Sequence, residues 1–171
     1  MSNIAWWNSL EQQWKDTFGG ITLGHFNPPT VSEIEQLHTS KVLRLAGPGA
    51  PYPNMAFQLT NLSGIRDFRY LEILVVTHHQ LKSIKPLQSL KNLKSLFLFN
   101  NEIESLEGIE DLTELEQLFV QFNKIDSLKP LQNLTRLKEV YVNNNLITSL
   151  EGLTETHADK LEVFFVSLMT D

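Results

Sequence analysis

Leu71-Glu-Ile-Leu-Val-Val-Thr-His-His-Gln-Leu81 returns, lightly edited, as Leu93-Lys-Ser-Leu-Phe-Leu-Phe-Asn-Asn-Glu-Ile103. It returns again as Leu115-Glu-Gln-Leu-Phe-Val-Gln-Phe-Asn-Lys-Ile125 and Leu137-Lys-Glu-Val-Tyr-Val-Asn-Asn-Asn-Leu-Ile147. The starts lie 22 residues apart, and an incomplete copy opens at Leu161. Self-similarity at a fixed short period marks a solenoid, because one such unit cannot bury its apolar face without stacking on the next. The first, fourth, sixth and eleventh positions of each copy are aliphatic or nearly so. Burying them between layers drives folding at roughly 25 cal/mol per Å² of apolar surface.

The pattern L-x-x-L-x-L-x-x-N-x-L over residues 59–168 resembles the leucine-rich repeat family in its 22-residue class. Bacterial internalins and the regulator of the type-1 protein phosphatase belong to that class. The resemblance implies a bacterial α/β solenoid: a curved right-handed coil with a parallel β-sheet on its concave face and irregular or 3-10 segments on its convex face. It also implies that Asn101, Asn123 and Asn145, at position nine, turn inward and brace the tight bend. The chemistry agrees, because buried backbone groups at a turn need partners and an amide both donates and accepts. His79 holds that place in the first good copy, where a substitute brace is expected rather than a metal ligand. His78 beside it would point to the opposite face, so the two cannot chelate together.

Working outward, Leu59, Leu62, Ile65 and Phe68 form the back half of an earlier repeat, and Leu43 and Leu45 match Leu74 and Val76 as a first rung. Between them Ala46-Gly-Pro-Gly-Ala-Pro-Tyr-Pro-Asn54 is a Gly/Pro-rich insertion over 46–54 that neither helix nor ladder accommodates. A tolerated surface insertion is one reading and a contact through Tyr52 is the other. The N-terminal region reads as one amphipathic helix over 4–18, with Ile4, Trp6, Trp7, Leu10, Trp14 and Phe18 on one face and Gly19-Gly20 as its stop. Thr30 and Glu33 then open a second helix as a capping box, with Val31, Ile34 and Leu37 as its buried face. Residues 1–39 are thus expected as a helical N-terminal cap, with its tryptophans as core. Residues 40–171 form a solenoid of five to six rungs, and the whole is one structural domain.

Lys85-Pro86 and Lys129-Pro130 alternate with Glu107-Gly108 and Glu151-Gly152, which suggests a doublet of 44 residues. Stacking would place the four charged residues in a row of alternating sign. In the last copy Met169 stands where the Asn is expected. An uncovered apolar edge strand there raises the possibility of a homodimer through the C-terminal edge.

Function enters through the solvent-facing strand positions. Position five reads Arg44, Val75, Phe97, Phe119, Tyr141, Phe165 up the rungs. Exposed strand positions are ordinarily polar, and an apolar patch with a polar rim marks a contact surface. Aromatic residues are favoured there. Val75, Phe97, Phe99, Phe119, Gln121, Phe122, Tyr141, Asn143 and Phe165 are therefore expected to bind a partner. Cross-strand stacking of rings for stability is the competing account.

The remaining chemistry is sparse. The chain has 171 residues, 42% of them hydrophobic and 20% charged, and a net charge of −6 that argues against nucleic acid. No apolar run is long enough to span a bilayer. There is no Cys and no H-E-x-x-H or phosphate-binding loop, so no cofactor, metal or catalysis is expected. The acidic residues between 102 and 116 fall mostly at non-core positions and read as a solvated face. A cysteine-free chain fits the cytoplasm. The expectation is a non-catalytic protein–protein interaction module using its concave sheet. The alternative is a regulatory or targeting subunit of an enzyme such as a phosphatase.

Overall fold

A computed structural model describes residues 3–170. Six short strands run in sequence order across one parallel sheet: β1 (Val42–Ala46), β2 (Ile73–Thr77), β3 (Ser95–Phe97), β4 (Gln117–Phe119), β5 (Glu139–Tyr141) and β6 (Val163–Phe165). The 22-residue period sets the register, so Leu74, Leu96, Leu118 and Val140 lie side by side. All four are fully buried, as are Val76, Leu98, Val120 and Val142 two positions on. One continuous core runs from the tryptophans of the cap to Ile147. The irregular convex segments include 3-10 turns at Ser63–Ile65, Lys85–Ser89 and Lys129–Leu131.

The 44-residue doublet has a steric basis. Pro86 and Pro130 preset the backbone for a 3-10 turn in alternate rungs. The intervening rungs carry Gly108 and Gly152 with φ of +113° and +109°. A Cβ at Gly108 would lie 2.7 Å from the Lys85 Cα, and one at Gly152 would lie 2.2 Å from the Leu128 carbonyl oxygen. The glycine rung therefore lies flush against its neighbour because it lacks a side chain. The charges follow, with Lys85–Glu107 at 3.0 Å and Lys129–Glu151 at 3.1 Å. A second alternating row, which the sequence reading passed over, sets Glu72 between Lys41 and Lys94 at 3.0 and 2.9 Å, with Glu116–Lys138 at 2.8 Å beyond. Exposed pairs contribute about 0–1 kcal/mol each, so these rows favour register more than stability.

The cap departs from expectation in two places. The helix over 4–18 is broken into α1 (Asn3–Ser9) and α2 (Gln12–Phe18). Glu11 is extended, with φ −62° and ψ 153°. Its carboxylate accepts hydrogen bonds from Asn61 Nδ2 at 3.0 Å and Ser63 Oγ at 3.0 Å. The break thus fastens the cap to the first rung. The α-helical run ends at Phe18, as the Gly19-Gly20 stop requires, but the glycines carry the coil on as a π-helical turn, Gly19–Leu23, that ends at left-handed Gly24. Trp6, Trp7, Trp14 and Phe18 are buried, and Phe18 stacks on Phe68 at 5.3 Å. The third helix, α3 (Val31–His38), has the Thr30/Glu33 capping box. Ile34 and Leu37 are buried, but Val31 is 49% exposed. At roughly 100° per residue it lies about 120° around from Leu37, outside a narrow buried stripe.

At the far end α4 (Glu155–Lys160) takes up the two extra residues before β6. His157, fully buried, accepts from the Thr154 N–H through Nδ1 at 3.0 Å. Its Nε2 lies 3.0 Å from the Leu131 carbonyl oxygen. The placing of Met169 at the Asn position is also corrected. Its N–H donates to Ile147 O at 2.8 Å, as Leu146 does to Ile125 and Lys124 to Ile103. Met169 is therefore one position past the brace. The rung is a residue short, and Leu168 sits at the bend, where no side-chain amide is present.

Candidate functional site

The sheet's concave face is positioned by the bends at its strand ends. Asn123 Nδ2 donates to Leu98 O and Val120 O, both at 3.0 Å, and its Oδ1 accepts from the Ile103 N–H at 2.9 Å. Asn145 repeats this one rung on, with Val120 O, Val142 O and the Ile125 N–H. Asn101 repeats it one rung back, with Val76 O, Leu98 O and the Leu81 N–H. Each amide therefore ties two adjacent rungs together.

His79 does the same with a ring. Its Nδ1 accepts from the Leu59 N–H at 2.9 Å, and its Nε2 lies 3.2 Å from Leu45 O. That arrangement requires a neutral imidazole protonated on Nε2, and burial holds its pKa down at about 4. The folded value lies below the unfolded one of about 6.5, so the unfolded chain takes the proton first as pH falls. Stability from His79 is complete above pH 6.5 and drains away between 6.5 and 4, by about 3 kcal/mol in all. Urea titrations across that window should show the loss, and a His79→Asn variant should show a smaller one. An equal slope in both proteins would refute this account.

The solvent side of the sheet carries the column. Phe97 stacks on Phe119 with centroids 4.7 Å apart and planes at 23°, and Phe119 on Tyr141 at 4.6 Å and 14°. Phe165 is looser against Tyr141, at 6.2 Å and 43°, on the rung whose bend lacks the brace. Strand register carries the same line back through Val75 to Arg44. Val75, Phe97, Phe119 and Tyr141 are half-buried by one another, and Phe165 is 55% exposed. One flank is a polar chain that the sequence reading did not connect. Ser95 Oγ donates to Gln117 Oε1 at 2.6 Å, and Gln117 Nε2 donates to Glu139 Oε1 at 2.9 Å. The other flank is Phe99, Gln121 and Asn143. Gln121 Oε1 and Asn143 Oδ1 are buried atoms that accept no hydrogen bond from the protein.

A family model for leucine-rich repeats in two copies matches residues 91–133 and 113–155. Three solved bacterial structures share the fold. Internalin C2 of Listeria monocytogenes is 26% identical with a TM-score of 0.62, covering 82% of this chain. A leucine-rich repeat protein of Leptospira interrogans is 25% identical with a TM-score of 0.61 over 80% of the chain.

The chain has the leucine-rich repeat fold.

A further internalin of Listeria monocytogenes is 25% identical with a TM-score of 0.57, covering 65% of this chain. The chain spans only 56%, 33% and 32% of these three proteins, taken in the order given. No curated protein matches it in sequence.

The solenoid brings Val75, Phe97, Phe119, Tyr141 and Phe165 into one line, with Phe99 and Gln121 beside it. Asn143 differs from the solvent-facing rim expected of it, being only 8% exposed. Its carbonyl accepts from the Phe122 N–H at 3.2 Å, beside the bend. Phe122 is set apart as well. His78, Asn100, Phe122 and Asn144 are the left-handed residues of successive bends, with φ between 54° and 60°. Asn suits that conformation and Phe does not, at a cost of about 1–2 kcal/mol. The ring is 51% exposed, so burial of the side chain does not account for this conformation. Phe122→Asn should raise the urea midpoint by the equivalent of about 0.5–1 kcal/mol, because Asn relieves the left-handed strain. A lower midpoint would instead give Phe122 a packing role.

Proposed function

We propose that this leucine-rich repeat solenoid is a non-catalytic protein-binding module whose partner lies along the concave aromatic column. Leucine-rich repeats are in general protein–protein interaction modules, and the chain shares their fold. The observation that carries the finer reading is the stack of Phe97, Phe119 and Tyr141 on the solvent side of a sheet whose opposite side already holds the core. Support also comes from Gln121 beside the column, whose Oε1 is an acceptor that no protein donor reaches. A buried acceptor left unpaired costs about 1–3 kcal/mol, and an N–H group of a docked chain would remove that cost. A rigid sheet binds at low ordering cost because its surface is preorganised.

Replacing Phe97, Phe119 and Tyr141 together by Ala should leave a folded protein, since stacked ring pairs contribute about 0.5–1.5 kcal/mol each beyond area burial. Partner recovered from cell extract should fall below detection. Full recovery with the triple variant would end this reading. A role as regulatory or targeting subunit of an enzyme, such as a phosphatase, is a narrower form of it. The narrower form requires that the captured partner be an enzyme whose turnover changes on binding.

A further inference from the structure

We infer that the N-terminal end of the concave face holds a cleft for an anchor side chain of the partner, taking a large apolar residue with a carboxylate next to it in sequence. This rests on the reading that the concave face binds a protein.

The cleft has a volume of about 440 Å³. The sheet supplies its floor through Val75, Phe97 and Phe99, and the 46–54 insertion supplies its wall through Ala50, Pro51 and Tyr52. The wall is fixed to the first strand. Asn54 Oδ1 accepts from the Ala46 N–H at 2.7 Å, and its Nδ2 donates to Arg44 O at 2.8 Å. The Asn54 and Met55 N–H groups both donate to Ala46 O at 3.1 Å. At the other end of the insertion, the Gly47 N–H donates to Thr77 O at 2.9 Å. A Cβ on Gly47 would sit 2.0 Å from the His78 carbonyl oxygen, so the insertion touches the second rung only because residue 47 is Gly. The insertion is thus a built wall rather than a slack loop, and it stands against the first ring of the column.

The charge of the cleft is what names the occupant. Among the described residues, Arg44 is the one permanent charge lining it; His78, also in the lining, is held neutral by burial and pairs with Asn100. It begins the same column as the rings, in register with Val75. Its guanidinium donates to the Tyr52 carbonyl and makes no ion pair with any carboxylate among the described residues. Most lysines on the solenoid face a carboxylate one rung away, as Lys94 faces Glu72 and Lys138 faces Glu116. A guanidinium keeps further donors in a planar fork that matches a carboxylate. Beside an apolar floor, such a pairing is less screened than one in open water. An aromatic or long aliphatic side chain followed by Asp or Glu satisfies both halves of the cleft.

The test uses acetylated, amidated tetrapeptides with Gly-Trp-Asp-Gly, Gly-Trp-Asn-Gly and Gly-Ala-Asp-Gly as their sequences, added to isotope-labelled full-length protein. At about 2 mM peptide, within reach of an affinity near 1 mM, backbone amide shifts report the site. The Trp-Asp peptide should move the amides of Arg44, Ala46, Val75 and Phe97. The Trp-Asn peptide should bind about tenfold more weakly, as expected for a lost charge pair of about 1.4 kcal/mol. The Ala-Asp peptide should not move these amides. Arg44→Gln should bring the two Trp peptides to equal affinity, and Gly47→Ala, which displaces the wall, should abolish both.

No localised shifts with the Trp-Asp peptide, equal binding of the Asp and Asn forms to the native protein, or full binding by the Gly47→Ala variant would each overturn the proposal. So would shifts of the same amides on concentrating the protein alone, which would give the cleft to a second copy. Loss of partner in the Phe97/Phe119/Tyr141 variant with no peptide response at the cleft would leave the concave-face reading standing and remove this one.

Discussion

Replacing Asn123 by Ala should cost about 3–5 kcal/mol, a large share of the stability of a domain this size. The side chain satisfies three buried backbone groups at once: the carbonyls of Leu98 and Val120 and the N–H of Ile103. Ala supplies none of these, and water has no easy route to a bend flanked by the fully buried Val120 and Ile125. Each orphaned group costs about 1–3 kcal/mol, with partial relief from local rearrangement. Asn123→Asp should be at least as damaging although it matches in size. A carboxylate keeps the acceptor for Ile103 but faces two carbonyl oxygens with no donor. Urea unfolding followed by circular dichroism measures both. A loss under about 1 kcal/mol for either variant would mean the ladder is incidental to stability.

Gly64→Ala should cost about 2–3 kcal/mol, and the cost should depend on Trp14. A methyl at Gly64 would meet the indole of Trp14 at 2.2, 2.3 and 2.6 Å from three of its ring atoms. Trp14 is fully buried and held by its Nε1–H, which donates to Asn61 Oδ1 at 3.3 Å. The indole therefore has little room to retreat without lifting α2 from the first rung. In a Trp14→Ala background, itself destabilised by about 3–5 kcal/mol, the added methyl enters space the ring has left. The double-mutant cycle should show coupling of about 2 kcal/mol, with tryptophan emission reporting whether the cap has lifted. Additive costs would place the strain somewhere other than this contact.

How much of this was legible in the sequence follows from where the determining contacts lie. The column from Arg44 to Phe165 could be read in full, because strand alternation and a constant period are local rules. The helix over 4–18 could not. Its break at Glu11 answers to Asn61 and Ser63, 50 and 52 residues away, and local periodicity carries no trace of such contacts. Val31 failed for a smaller reason: a capping box fixes where α3 starts and not how wide its buried stripe is. Met169 was misplaced because the last rung drops its left-handed residue, a deletion visible only in the Met169–Ile147 hydrogen bond. Asn143 read as rim from its strand position, yet the residue is buried. The insertion over 46–54 was seen as a break in phase. That it stands as a wall was hidden in the pairing of Asn54 with the first strand, ten residues from Arg44.

The account depends most on the column being where another protein sits. Its most direct test places a photoreactive benzoylphenylalanine at position 119, within the ring stack, or at position 88, on a convex turn. Each protein is then irradiated in cell extract. The account predicts a discrete, heavier protein adduct from position 119 that vanishes when Phe97 and Tyr141 are Ala, and none from position 88. Adducts of equal yield from both positions, or from position 88 alone, would contradict it.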